Sequence, residues 1–93
     1  MPFRNGGSHA FTAVSIRNHV PAVSGVYGLS NARHWIYVGS SHNLQFQLLG
    51  HLRETDSLLK AQNPTGYTFE VCDISGSAGR QSQLISELRP TLV

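Results

Sequence analysis

The sequence predicts a small α/β (α+β) domain, a three-stranded antiparallel sheet flanked by helices. Three observations carry that prediction. Two short runs of strand formers, Ser24–Leu29 and Trp35–Gly39, are separated only by a short turn-like stretch, as in an antiparallel hairpin. A leucine stripe follows, with Leu44, Leu48, Leu49 and Leu52 at helical intervals. A third apolar run, Tyr67–Ile74, precedes a second stripe of Leu84, Ile85 and Leu88. A sheet covered by helices is the smallest arrangement that buries stripes of both periods.

Taken in order, Met1–Ser8 holds Gly6-Gly7 among polar neighbours and reads as a flexible lead-in. Phe11–Asn18 is compatible with a short helix, closed by Val20-Pro21 because the residue before a proline avoids the α region. Residues 1–20 are therefore read as lead-in and short helix, and residues 21–93 as the domain proper. Ser30–Arg33 is the hairpin turn. Asn43 is placed to cap the helix Leu44–Leu52, with Phe46 off its stripe. Asp56–Gln62 reads as a further helical segment, ended by Asn63-Pro64-Thr65-Gly66. Ser75–Gly79 reads as a turn, and Gln81–Leu88 as a final helix stopped by Pro90.

Composition narrows the function classes. The chain has 93 residues, enough for one domain. It is 40% hydrophobic but only 13% charged, about half the usual 25%. That excludes a disordered tail and favours a weakly charged surface prone to self-association. Six of the seven basic residues are scattered arginines and the net charge is +2, so electrostatics alone do not announce nucleic-acid binding. The lone Cys72 excludes an internal disulfide and a cysteine-based zinc site, and reads as a small buried hydrophobe. No apolar run approaches the roughly 18 residues of a transmembrane helix, and no signal-peptide core is present. The expectation is a cytoplasmic protein without membrane contact.

Gly25-Val26-Tyr27, followed ten residues later by Tyr37-Val38-Gly39, resembles the two-part signature of the GIY-YIG nuclease family. The surrounding words agree: Ser24–Leu29 and Ile36–Ser41 look like the family's first two strands. Asn43-Leu44 opens a helix as the pattern asks, and His51 stands at the family's helix histidine or tyrosine. Leu84-Ile85, Leu88 and Pro90 match the last helix and its terminal proline. The resemblance covers roughly residues 21–93 and implies phosphodiester cleavage in DNA. In such a site a tyrosine phenolate, or a water beside it, is set against phosphorus. A divalent cation, Mg²⁺ or Mn²⁺, held by a glutamate of the last helix, neutralises developing charge. An arginine forks onto the phosphate.

The departures decide what the resemblance implies. The family's arginine stands eight residues after the second glycine, and here that residue is Gln47. Its glutamate stands nine residues before the terminal proline, and here that is Gln81. Its asparagine falls on Val93. Tyr27, Tyr37 and His51 are retained, while Gly25 and Gly39 serve the motif's backbone geometry. A neutral amide oxygen anchors magnesium poorly, and losing one electrostatic catalytic group typically costs on the order of 100- to 1,000-fold. On helical geometry Glu87, Arg80 and Arg53 face away from the vacated positions, and the orientation of Glu70 stays open. No metal ligand and no resident cofactor are therefore expected.

Three readings follow. The first is a non-catalytic domain that binds nucleic acid weakly, DNA rather than RNA, using Ser40, Ser41 and His42 at a helix N-terminus, and Arg53. The second is a protein-interaction or homodimerisation module keeping only the fold. The third is a metal-dependent endonuclease with an atypical site. Trp35 reads as core rather than as a base-stacking platform, and the scattered arginines as solvated surface.

Overall fold

The computed structural model describes residues 3, 8–53 and 61–92. Along the chain run β1 (His9–Ala10), α1 (Ala13–His19), β2 (Gly25–Ser30), β3 (Trp35–Ser41), α2 (Leu44–Arg53), β4 (Gly66–Val71) and α3 (Ile74–Leu88). The strands form one antiparallel sheet in the order β1-β4-β2-β3. The mixed architecture is the expected one, but the sheet has four strands, not three. The added strand is β1, only two residues long, which pairs His9 with Tyr67 and Ala10 with Gly66. Two residues carry no alternation, so periodicity could not reveal it.

β2 has five of its six residues buried and lies between β3 and β4. Alternation along it sends Tyr27 and Leu29 to one face and Val26 to the other. On the first face they join Ile16 and Val20 from α1 and its end, Leu44 and Leu48 from α2, and Ile36 and Tyr67. On the second face Val26 meets Val38, Leu84 of α3 and Phe3. Phe3 falls within the expected lead-in, yet it is buried and its ring lies 5.6 Å from that of Trp35.

Local chemistry sets the element ends. Thr12 caps α1, its hydroxyl accepting from the Ser15 N–H at 3.2 Å, so the helix begins two residues later than Phe11. Asn43 caps α2 as expected, its Oδ1 accepting from the Phe46 N–H at 3.0 Å. The expected turn over Ser75–Gly79 is instead the first part of α3. Gly76 and Gly79 face open space, and each weakens a helix by about 1 kcal/mol. Tertiary anchors override that weakness: Ser77 is buried, Leu84 enters the core, and Arg80 holds Glu70. The helix expected over Asp56–Gln62 lies mostly outside the described residues.

The Arg80–Glu70 contact is a fork. Nε reaches Oε2 at 2.8 Å and Nη2 reaches Oε1 at 3.0 Å, with the side chains 13% and 3% exposed. The carboxylate holds the Arg80 guanidinium pKa above its usual value, mainly through the hydrogen bond. Removing one partner of so buried a pair costs about 3–5 kcal/mol.

Gly25 lets β4 and α2 close on β2. A Cβ there would stand 2.3 Å from the Glu70 carbonyl oxygen and 2.7 Å from Leu44 Cδ1. We expect Gly25→Ala to lower the unfolding free energy by about 1–3 kcal/mol, the usual cost of overpacking, read as a shift in urea midpoint at constant m-value. Alkaline pH gives a second prediction. Burial raises the Tyr67 phenol pKa above its ordinary value of 10.0, partly opposed by its hydrogen bond to Ser15. A raised folded pKa means that the stability is held below pH 10.0 and lost as pH rises through the folded pKa. Urea midpoints should therefore fall from about pH 9 to about pH 11, and Tyr67→Phe should reduce that fall; an unaltered fall would refute the assignment.

Candidate functional site

Three rings converge on the face covered by α1 and α2. The Tyr27 hydroxyl and His51 Nε2 are hydrogen-bonded at 2.8 Å. The Tyr37 ring lies 6.0 Å from that of Tyr27 and 5.8 Å from that of His51, edge-on to the latter. β2 delivers Tyr27, β3 delivers Tyr37 and the last turn of α2 delivers His51. Tyr27 is 1% exposed, whereas Tyr37 and His51 are half-buried.

The second motif glycine explains the closeness of the phenols. A Cβ on Gly39 would stand 2.6 Å from the Tyr27 hydroxyl oxygen and 2.8 Å from a Tyr37 ring carbon. Any side chain there would push one phenol away. Chemically, the trio offers a phenol sharing a proton with an imidazole, with a second phenol beside it. Such a pair can pass a proton or orient a hydroxyl toward a ligand.

Gln47 stands one helical turn before His51, on the same face of α2. Its side-chain amide makes no hydrogen bond among the described residues. Gln81 is placed differently. Its Nε2 donates to the Val38 carbonyl oxygen at 3.3 Å, and its Oε1 accepts from the Ser40 hydroxyl at 3.0 Å. Ser40 alternates with Gly39 along β3, so Gln81 meets that strand from the α3 face, opposite the ring trio. The corresponding position of Val93 lies outside the described residues.

The segment before α2 is committed to the helix. The Ser41 hydroxyl donates to the Asn43 carbonyl and accepts from the Asn43 N–H, both at 3.0 Å. The Leu44 N–H donates to Val23 O at 2.9 Å, and the Gln47 N–H to Asn43 O at 3.0 Å. With Phe46 capped by Asn43, few first-turn donors are left for an anion. His42 and Arg53 are exposed.

Glu70, whose direction the sequence leaves open, points to the α3 face and into the fork with Arg80. Ser40 and Glu70 both flank Val26, on β3 and β4 respectively. Arg80 and Gln81, adjacent on α3, thus grip the sheet on either side of Val26. Sequence reasoning missed this double clamp. The usable signal was that Glu70 shares strand parity with Thr68, and therefore the sheet face of Val26 and Ser40.

These residues do not fit a divalent cation. Gln81 is neutral, and both its polar atoms face protein partners, one of them a carbonyl that requires a donor. Glu70 is neutralised by Arg80. Among the described residues no group of three or more His, Cys, Asp or Glu side chains converges.

No family model matches the chain. Over 58 residues, 62% of the chain, the sequence is 33% identical to UvrABC system protein C of Hydrogenobaculum sp. (strain Y04AAS1), and it spans only 10% of that protein's length. The fold is similar to the GIY-YIG N-terminal endonuclease domain of UvrC from Thermotoga maritima bound to magnesium, its catalytic divalent cation. That match has a TM-score of 0.66 and 23% identity, covering 82% of this chain and 92% of that one. A point mutant of the same domain, also with its catalytic divalent cation, matches at a TM-score of 0.66 and 22% identity, covering 82% and 91%. Four antiparallel strands, three described helices and a Tyr27–Tyr37–His51 cluster framed by Gly25 and Gly39 make this chain, by fold, a small GIY-YIG-like domain.

Proposed function

We propose that the domain is a non-catalytic nucleic-acid-binding module on the GIY-YIG scaffold, taking DNA in preference to RNA and with weak affinity. The observation that carries this reading is the locked Gln81 amide. Where the resemblance calls for a carboxylate that holds a cation, this chain has a neutral group serving Val38 and Ser40. Gln47 cannot offer a charged fork to phosphate. Either loss alone typically costs on the order of 100- to 1,000-fold in rate.

Binding is supported by the surface charge and by analogy to the endonuclease domain of similar fold. Glu70 and Arg80 cancel inside the protein. Among the described residues the exposed arginines are Arg17, Arg33, Arg53 and Arg89, against exposed Asp73 and Glu87. That surplus suits weak, salt-sensitive contact with phosphates. One observation favours a protein-interaction module instead: Phe46 and Val14 are 68% and 66% exposed. That reading expects a dimer in light scattering and no DNA retention.

Fluorescence anisotropy with a labelled duplex, together with plasmid nicking in Mg²⁺ and in Mn²⁺, tests the proposal. We expect binding that weakens several-fold between about 50 and about 200 mM salt, and no nicking. Nicking that Tyr27→Phe abolishes would overturn it. The lock has its own test. Gln81→Glu replaces a donor with a second acceptor facing the Val38 carbonyl, so without divalent cations it should destabilise the fold by about 1–3 kcal/mol. Unchanged stability would mean that Gln81 is not held as described.

A further inference from the structure

A hollow of about 370 Å³ opens at the far end of the β2–β3 hairpin, away from α2. Its wall includes Ser8, Ser30, Asn31, Arg33, His34 and Trp35. The volume lies in the range that holds small organic ligands. The lining residues carry a guanidinium, an imidazole, an indole and two hydroxyls, and none of those described carries a carboxylate. Such a lining suits an anion that also carries a flat ring.

The loop is held rigidly in shape. Asn31 Oδ1 accepts from the N–H groups of Arg33 at 2.8 Å and His34 at 3.0 Å, and the Asn31 N–H donates to His34 O at 3.1 Å. Asn31 Nδ2 also donates to Gln62 O at 3.1 Å. The Arg33 and His34 side chains project from this turn exposed, with no hydrogen bond of their own among the described residues.

Trp35 forms the other wall because of a bulge. Leu29 pairs with Tyr37, but Ser30 pairs with Trp35, leaving Ile36 as an extra residue. A bulge re-aims the side chains beside it. Trp35 therefore packs with the α3-face cluster while Tyr37, two residues on, packs with the other. Phe3 backs the Trp35 ring, and the Trp35 carbonyl accepts from the Thr91 N–H at 3.1 Å. The indole is half-buried and anchored, with one part left to the hollow.

From this geometry we propose that the hollow is a nucleotide subsite, with the base against Trp35 and the phosphate on Arg33, assisted by His34. The same chemistry serves a free nucleotide or an unpaired nucleotide of a strand. The proposal deepens the nucleic-acid reading and rests on it for the class of ligand. Aromatic stacking is sequence-tolerant, so the subsite would take any base at an unpaired end or in a single-stranded stretch.

Trp35 is the chain's one tryptophan, so intrinsic fluorescence reads the hollow directly. Four probes are titrated: 5′-AMP, adenosine, inorganic phosphate, and a 5′-phosphorylated oligodeoxyadenylate of four residues. We expect saturable quenching by AMP, by the oligonucleotide, or by both, and much weaker change with adenosine or phosphate alone. Tighter binding of the oligonucleotide assigns the site to a strand; tighter binding of AMP assigns it to free nucleotide. Arg33→Gln, on an exposed loop, should weaken the response about tenfold or more, the loss of a charged hydrogen bond. Indifference of Trp35 to both nucleotide probes would overturn the proposal, as would equal binding by Arg33→Gln or by adenosine. If duplex is still retained in that case, the subsite fails and the broader reading stands. If duplex is not retained while AMP quenches Trp35, the broader reading fails and a free-nucleotide site stands.

Discussion

The Tyr27 side chain is the constraint around which this small domain is organised. It rises from the central strand, is 1% exposed, and its hydroxyl must be satisfied inside the protein. His51, from the end of α2, meets it at 2.8 Å. The ring can reach that far because Gly39 on β3 has no side chain. α2 can lie close enough because Gly25 has none either. Two glycines on neighbouring strands and one histidine on a helix are thus linked through one phenol. The tyrosine signature in this chain is a packing solution before it is a catalytic one.

The other face is closed by a different device. Val26 and Leu84 supply apolar contact, but α3 is oriented by polar side chains. Arg80 forks onto Glu70 of β4 while Gln81 bridges to β3. A buried ion pair is weak as net stabilisation and strong as a specifier, because any other docking of α3 would leave Glu70 charged, buried and alone. Fixing Arg80 on one side of Val26 also fixes its neighbour Gln81 on the other. There an amide is the suitable group, since it can accept from Ser40 and donate to Val38 at once. A carboxylate could do only the first.

How much of this was legible in the sequence follows from the range of each interaction. The hairpin, the leucine-striped helix and the Asn43 cap are local, and strand composition or helical period reveals them. The meeting of Tyr27, Tyr37 and His51 was legible only through resemblance, since nothing in the spacing of 24 residues places His51 on Tyr27. β1 was hidden because two residues have no period. The start of α3 was hidden because Ser75–Gly79 has the composition of a turn, and tertiary contacts at Ser77 and Arg80 overrule it. By residue type alone Trp35 reads as core. The bulge that leaves it half on the core and half on a hollow is a long-range consequence of strand pairing, beyond the reach of local pattern.

These separations bear on what a retained motif means. In this chain Tyr27, Gly25 and Gly39 are each required by packing whether or not any bond is cleaved. Their presence therefore cannot discriminate a working nuclease from a silent one. Gln47 and Gln81 can, because neither packs the core and each differs from the expected residue by a charge. Of the two, Gln81 is the more informative. Gln47, half-buried and without a side-chain hydrogen bond among the described residues, has no such duty, but Gln81 is integrated into the strand edge through a donor that glutamate lacks. The Gln81 position carries a structural duty that the carboxylate implied by the resemblance could not perform. A carboxylate at this position would oppose the Val38 carbonyl before any cation could reward it. A scaffold in that condition keeps its fold and its surface, and what it can still do must be sought where cations and an open ring face solvent together.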